Sequence, residues 1–590
     1  MGNFYKNISN FLLPLKNKIK LTISSFSKKE RFVFLFFIFT LVLSTIVLLE
    51  SVNESFMVNV PIQGGTLTEG IVGSPRFVNP ILAYSSTDND LVSIIYSGLM
   101  RKSGDGTLIP DLAKKYEISK DKLTYTFTLK DKIFFQDGKP VTASDVLFTI
   151  NKAKDLIVKS PKKINWDGVS VEKLDEKTIV FTLKQPYAYF LENTTLGILP
   201  EHLWEDGKNT PIEINELNIN PVGSGPYQLK KVGKESSGLV NSYTLSSFNK
   251  FILEKPFITT IVFNFYPNED SLVVALMNGD IEQAGSITPE NAKNLEEKNY
   301  RILSSVLPRV FGLFFNQSQN QIFTDKNVVQ AMNLAIDKDK IVKEVLSGYG
   351  VVIDSPIPPN MVAYQKLGKE DSSSTEENKI KAQAILAKDG WKIGIDGTLE
   401  KTTTIKKKKT TQKLEFTIST GNSPELAKSA ELIKADLASL GMKVDVKTFE
   451  IGNLNQTVIR PRKYDVLLFG QIINHESDLF AFWHSTQRND PGLNVAMYTN
   501  AKVDKILEDA STITDETSRI KKYAEFENEI EKDMPAIFLY SPNFIYVVAK
   551  DLKGISIDHI ISPSDRFLNL YSWYLKTDNI WEIFSKNKTS

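Results

Sequence analysis

At 590 residues the chain is far longer than one hydrophobic core serves, and its length suggests about two to four domains. Lys and Arg (71) almost cancel Asp and Glu (70), so no net field gathers nucleic acid or any other polyanion. Cysteine is absent, which removes disulfides, thiolate nucleophiles, Cys-based zinc sites and lipid attachment through an N-terminal cysteine. The histidines (His202, His475, His484 and His559) share no helical metal-binding spacing, so neither a metal nor another cofactor is expected.

From Phe32 to Leu49 the chain runs 18 residues without a charge, Pro or Gly, just enough for a helix to cross a hydrocarbon core of about 30 Å. Lys16, Lys18, Lys20, Lys28, Lys29 and Arg31 precede it, opposed only by Glu30, and Glu50 and Glu54 follow. The positive-inside bias puts residues 1–31 in the cytoplasm and everything after residue 50 outside. The run is longer than a usual signal-peptide core and no small-x-small site follows Leu49, so it reads as an uncleaved single-pass anchor in the cell membrane. Ahead of it, Phe4, Ile8, Phe11, Leu15 and Ile19 recur at helical spacing among lysines. That pattern fits either a basic amphipathic helix on the inner leaflet or, given Pro14, a disordered tail.

Residues 50–63 read as a polar linker, and an extended segment begins at Gly64-Gly65-Thr66-Leu67-Thr68. Leu123–Leu129 alternates with period two, as a half-buried strand does, and so does 177–183. Asp137-Gly138 makes a turn, and Thr142-Ala143-Ser144-Asp145 has the form of a helix N-terminus. Pro221-Val222-Gly223-Ser224-Gly225-Pro226-Tyr227 predicts a tight crossing or a hinge. A helix is expected over 326–347, ending at Gly348, and another after Ser423-Pro424, ending at Gly441. Strands are expected at 413–419, 443–449 and 464–469, the last apolar enough to be buried on both faces. This alternation argues for an α/β layer architecture. Lys406–Lys409 lies in a Thr/Lys-rich stretch that reads as a solvated hairpin or loop.

No Gly-x-Ser-x-Gly elbow, Walker loop or supported Ser-x-x-Lys set occurs, so the residues do not point to an enzyme. Several segments carry a resemblance instead: Ile95-Tyr96-Ser97-Gly98-Leu99, Phe134-Phe135-Gln136-Asp137-Gly138-Lys139-Pro140-Val141-Thr142-Ala143-Ser144-Asp145-Val146, Val222–Tyr227 and Gln330-Ala331-Met332-Asn333-Leu334-Ala335-Ile336-Asp337. In order and spacing, from about Gly64 to Ile580, the chain resembles the extracellular solute-binding proteins of the oligopeptide, dipeptide and nickel class that serve ABC transporters. The resemblance implies an α/β, two-lobed periplasmic-binding-protein-like fold (type II, with an extra domain) hinged between its lobes and preceded here by the transmembrane helix. It implies a first lobe from 64–98, 223–313 and 547–580, an inserted domain at 99–222 and a second lobe at 314–546. It also implies a monomer that captures an oligopeptide between the lobes and delivers it to the transporter's permease subunits; the alternatives are a surface peptide sensor or chaperone without a transport role, and a binder of another solute class such as a nickel chelate or an oligosaccharide.

In that family the strand equivalent to Tyr464–Phe469 is followed by Gly-Trp-x-x-Asp, whose aspartate pairs with the ammonium of a bound peptide. Here the stretch is Gly470-Gln471-Ile472-Ile473-Asn474-His475-Glu476-Ser477-Asp478. Gln471 replaces the Trp, and Asn474 or His475 replaces the aspartate. The resemblance implies a ligand without a free N-terminus or one bound in another register, with Glu476 or Asp478 either substituting for the carboxylate or capping the next helix. Tyr84, in the loop Asn79–Ser85, and Asn316, expected near the hinge, are further ligand candidates by analogy. Trp483, with Phe480, Phe482 and His484, either lines the cleft or packs in the core.

Overall fold

The computed structural model describes residues 22, 24–205, 210–361, 363–364, 375–405 and 408–585. It divides into two units, Met1–Ile62 with Lys576–Ser590, and Gln63–Leu575. The stretch Phe4–Ile19, expected as an amphipathic helix or a tail, lies outside the described residues.

In the first unit the apolar run forms the helix Lys28–Ser55, and none of its residues is buried. Its start is held by a capping box: Glu30 Oε2 accepts the Ser27 N–H at 2.8 Å, and Ser27 Oγ accepts the Glu30 N–H. The expected linker over residues 50–63 is instead helical to Ser55 and then extended. Met57–Ile62 pairs antiparallel with Lys576–Trp581, with Met57 opposite Trp581, and Trp581 Nε1 donates to Asn53 Oδ1 at 2.7 Å. A strand of six residues needs a partner for its backbone groups, and this one comes from the far end of the chain. No local pattern could reveal it, and residues 576–580 leave the segment expected for the first lobe.

In the second unit one sheet of 12 strands carries the architecture. One half is Lys443–Phe449, Glu415–Gly421, Val466–Ile472 and Arg309–Phe315, in that order; the other is Gln283–Gly285, Thr66–Val72, Thr260–Tyr266, Val240–Ser247 and Tyr227–Lys234. The 13-residue strand Ala536–Val548 joins the halves. It pairs with Arg309–Phe315 along its first part and with Arg301–Val306 along its second. Two segments therefore pass between the halves, near 307–308 and 541–543. The start of the strand Val466–Ile472 is buried on both faces as expected: Val466 and Leu468 enter one core, and Leu467 enters the core on the opposite side.

A separate antiparallel sheet orders Ala113–Ile118, Thr124–Leu129, Thr178–Leu183 and Val169–Lys173. The alternation in Thr124–Leu129 buries Tyr125, Phe127 and Leu129, and Phe127 meets Phe181 edge-on at 5.8 Å. Asp145 accepts the Thr142 N–H at 2.8 Å and starts the helix Ala143–Lys154. Gln136 stitches its segment to two others: it donates to the Ile95 carbonyl at 3.0 Å and to that of Tyr227 at 2.8 Å, and accepts the Gly223 N–H at 3.0 Å. The Pro221–Tyr227 stretch makes a tight crossing. A Cβ on Gly223 would lie 2.0 Å from the Ile95 carbonyl oxygen, so only glycine lets the backbones approach this closely.

The helix expected over 326–347 is two helices, Lys326–Ala335 and Lys338–Val345. Ile336 is extended, and the Asp337 carboxylate accepts the Lys340 N–H at 2.9 Å, so Asp337 ends one helical path and caps the next. After Ser423, whose hydroxyl accepts the Leu426 N–H, Pro424 opens the helix Pro424–Ala438 as expected. Of the lysine-rich stretch, Lys408 and Lys409 begin the strand Lys408–Lys413, which pairs with Leu399–Ile405, and Lys406 and Lys407 lie outside the described residues.

Candidate functional site

A cavity of about 880 Å³ opens where the two halves of the long sheet meet, within the 300–1,000 Å³ typical of ligand pockets. One wall is the helix Ser86–Ile95, through Asn89, Val92 and Ser93, with Pro80 and Tyr84 from the preceding loop. Ser562–Asp565 and the Thr195–Gly197 loop continue that wall, while Arg309, Ile472, Asn474 and His475 close it from the other half of the sheet.

The Ser562–Asp565 wall is fixed by Arg566, one residue on and fully buried. Its guanidinium reaches Glu69 Oε1 at 2.7 Å and Asp90 Oδ2 at 2.7 Å, and Tyr546 donates to Glu69 Oε2 at 2.8 Å. Ser564 donates to Asp90 at 2.6 Å, so one buried cation ties the strand Thr66–Val72 and the helix Ser86–Ile95 to the cavity wall. Burial pushes the Glu69 carboxyl up and Arg566 opposes it.

Opposite, Glu192 Oε2 lies 2.9 Å from Lys102 Nζ and 2.9 Å from His475 Nδ1. Lys102 supplies that oxygen with a counter-charge. Burial pushes the Glu192 carboxyl up, but His475 and Lys102 more than reverse this and hold it at about 2. Beside this cluster Tyr189 donates to Glu476 Oε2 at 3.1 Å, and the Arg519 guanidinium stacks 5.0 Å from the Tyr189 ring. These contacts join residues 189–192 to 475–476 and 519 across the cavity mouth.

Tyr84, Asn474 and His475 come together on the cavity, and Tyr84 is 85% exposed. The other candidates do not line it. Asp478 accepts the N–H groups of Asn474 at 2.8 Å and His475 at 3.2 Å, so its carboxylate braces the loop before the helix Asp478–Trp483. Glu476 is engaged by Tyr189. Gln471 is buried in its strand, paired with Val310, and its side-chain oxygen has no partner among the described residues. Asn316 was expected near the hinge. It lies at the other end of the strand Arg309–Phe315, buried, donating to the Arg462 carbonyl at 2.8 Å. Seven strand residues separate it from the cavity end, about 23 Å at 3.3 Å per residue. Trp483 is fully buried and meets Phe538 at 6.0 Å and Phe314 at 6.3 Å, as core. Phe480 stacks on His484 at 4.1 Å.

Sequence reasoning missed Lys102, Lys162, Glu192 and Arg309. None belongs to a motif that marks it, and only the fold brings them to one cavity.

Residues 107–491 match the family model described as bacterial extracellular solute-binding proteins, family 5 Middle. The chain is 28% identical over 523 residues to the oligopeptide-binding protein AppA of Bacillus subtilis, covering 87% of this chain and 92% of that one. It is 26% identical to the dipeptide-binding protein of Escherichia coli, covering 84% and 93%. Among solved structures it superposes on AppA of Bacillus subtilis in complex with a nonapeptide with a TM-score of 0.64, at 28% identity over 88% of this chain and 100% of that one. On NikZ from Campylobacter jejuni in complex with Ni(L-His) the TM-score is 0.66, at 28% identity over 86% and 99%. The mixed α/β fold is that of the periplasmic binding proteins.

Proposed function

Because the chain belongs to the bacterial extracellular solute-binding proteins of family 5, we propose that it captures oligopeptides between two lobes and delivers them to the permease subunits of an ABC transporter. The single observation that carries this reading is the cavity of about 880 Å³, walled from both halves of a sheet that two short segments join among the described residues. A ligand touching both walls favours the closed arrangement by its differential contacts, and the crossings near 307–308 and 541–543 are where backbone angles change. We divide the chain at those crossings into a first lobe at 64–98, 223–306 and 544–575, an inserted domain at 99–222 and a second lobe at 309–540. Within the first lobe, Tyr84 touches ligand, and within the second, Asn474 and His475. Relatives named for oligopeptides and dipeptides, and one solved with a nonapeptide, support the ligand class.

The proposal includes the address. The helix Lys28–Ser55 spans the membrane through residues 32–49, its basic side cytoplasmic, and the protein acts as a monomer outside. Mass spectrometry of ligands that co-purify with the full-length protein tests the peptide reading, and a solute class containing no peptides would overturn it. Protease added to intact cells tests the address: the region after Glu50 is digested and the N-terminal tail spared. Recovery of a freely soluble form starting near residues 51–60 would overturn the anchor.

A further inference from the structure

The cavity's charges do not balance. Among its carboxylates, Glu192 is occupied by Lys102 and His475. Asp565 accepts the N–H groups of Ile561 and Ser562, each at 2.9 Å. Asp111 is buried, and burial pushes its carboxyl up against the opposing charge of Arg101. Asp111 Oδ1 is buried without a hydrogen-bond partner among the described residues.

The cations are in the opposite condition. Lys162 lies just before the short helix Lys163–Trp166, and Arg309 opens the strand Arg309–Phe315 beside the crossing. Both line the cavity, and both are only partly exposed. Among the described residues neither side chain makes an ion pair, a hydrogen bond or a ring contact. Burial pushes both below their usual pKa values with nothing opposing it. A guanidinium does not shed its proton in a protein, so Arg309 stays charged, and a partly desolvated cation without a counter-charge is costly.

We propose that Lys162 and Arg309 hold carboxylates of the ligand from opposite walls of the cavity, so that the protein selects ligands of net negative charge. The inference rests on the peptide reading above and narrows it to carboxylate-rich peptides. It also couples charge to closure: Lys162 lies in the inserted domain, where Ser160 donates to the Ile81 carbonyl of the first lobe, Arg309 opens a strand of the other half of the sheet, and an anion between them relieves both at once.

The test is isothermal titration of the full-length protein in detergent micelles with four alanine-based pentapeptides. Each carries Glu or Gln at positions two and four, and a free or an amidated C terminus. The peptide with all its carboxylates binds about tenfold or more tighter than the one with none, in line with measured close charge pairs. The two intermediate peptides assign the loss to side-chain or terminal carboxylates. In Lys162→Met and Arg309→Met that ratio falls to about threefold or less, while the carboxylate-free peptide keeps its affinity within about threefold. Lys162→Gln and Arg309→Gln serve where a Met variant lacks the wild-type circular dichroism spectrum. Equal binding of all four peptides overturns the inference and leaves the peptide reading standing, as does a ratio unchanged in the variants. Binding of none of the four overturns both.

Discussion

His475 Nδ1 lies 2.9 Å from Glu192 Oε2, a contact between residues 283 positions apart that spans the cavity mouth. Lys102 shares the same oxygen, and the adjacent Tyr189–Glu476 hydrogen bond acts between the same segments. Together they form a latch that acts only when the two sides are close.

Glu192→Gln removes the charge that His475 and Lys102 share. The closed arrangement is expected to lose about 1.4 kcal/mol, a tenfold change in the open-to-closed ratio. Small-angle scattering of the ligand-free variant then gives a larger radius of gyration than wild type, and saturating peptide restores the wild-type value. An unchanged radius in the free variant would remove the latch from the account of closure.

Asp478 caps the loop at Asn474 and His475, so it is not expected to pair with a ligand's ammonium. Acetylating a peptide's N-terminus should cost less than about 1.4 kcal/mol, a factor of ten in affinity. Asp478→Ala should lower stability by about 1 kcal/mol, as losing a cap does. The ratio of free to acetylated affinity stays the same in that variant. A large acetylation penalty that disappears in Asp478→Ala would return the ammonium to Asp478.

Glu527, in the helix Glu516–Asp533, is fully buried and accepts a hydrogen bond from Ser355. Burial pushes its carboxyl up to about 7, with the Ser355 hydrogen bond opposing and Glu531 adding to the rise. The folded state therefore binds more protons than the unfolded state between about 4.5 and about 7. Its contribution to stability is complete below that window and is lost as pH rises through it. Glu527→Gln keeps an acceptor for Ser355 and removes the titration. Denaturant melts should show the variant matching wild type below about pH 4.5 and exceeding it above about pH 7, by on the order of 3 kcal/mol. A constant difference across the range would show that Glu527 titrates alike in the folded and unfolded states.

Arg566→Met leaves Glu69 and Asp90 buried without their cation. Removing one partner of a buried ion network costs about 3–5 kcal/mol, so urea midpoints should fall strongly. The cavity wall at Ser562–Asp565 depends on the same contacts, so peptide affinity should fall in a variant that remains folded. A loss under about 1 kcal/mol would mean the network adds little to stability.

Much of the fold was legible locally. Period-two alternation located Thr124–Leu129, capping chemistry located the starts at Thr142 and Ser423, and an unbroken apolar run located the helix Lys28–Ser55. Where the chain departs from expectation, a tertiary or capping interaction wins: Asp337 splits one helical pattern into two, and Met57–Ile62 becomes a strand because Lys576–Trp581 pairs with it.

By itself the sequence determined the α/β class, the family and the apolar N-terminal helix, because periodicity, motif order and hydropathy are properties of neighbouring residues. It also brought Tyr84, Asn474 and His475 forward. Only the tertiary structure decided that Asp478 braces a loop, that Asn316 and Trp483 lie off the cavity, and that Lys162 and Arg309 face it without counter-charges. Those outcomes depend on which groups meet across hundreds of residues, and a buried charge carries no mark in sequence of whether its partner has arrived.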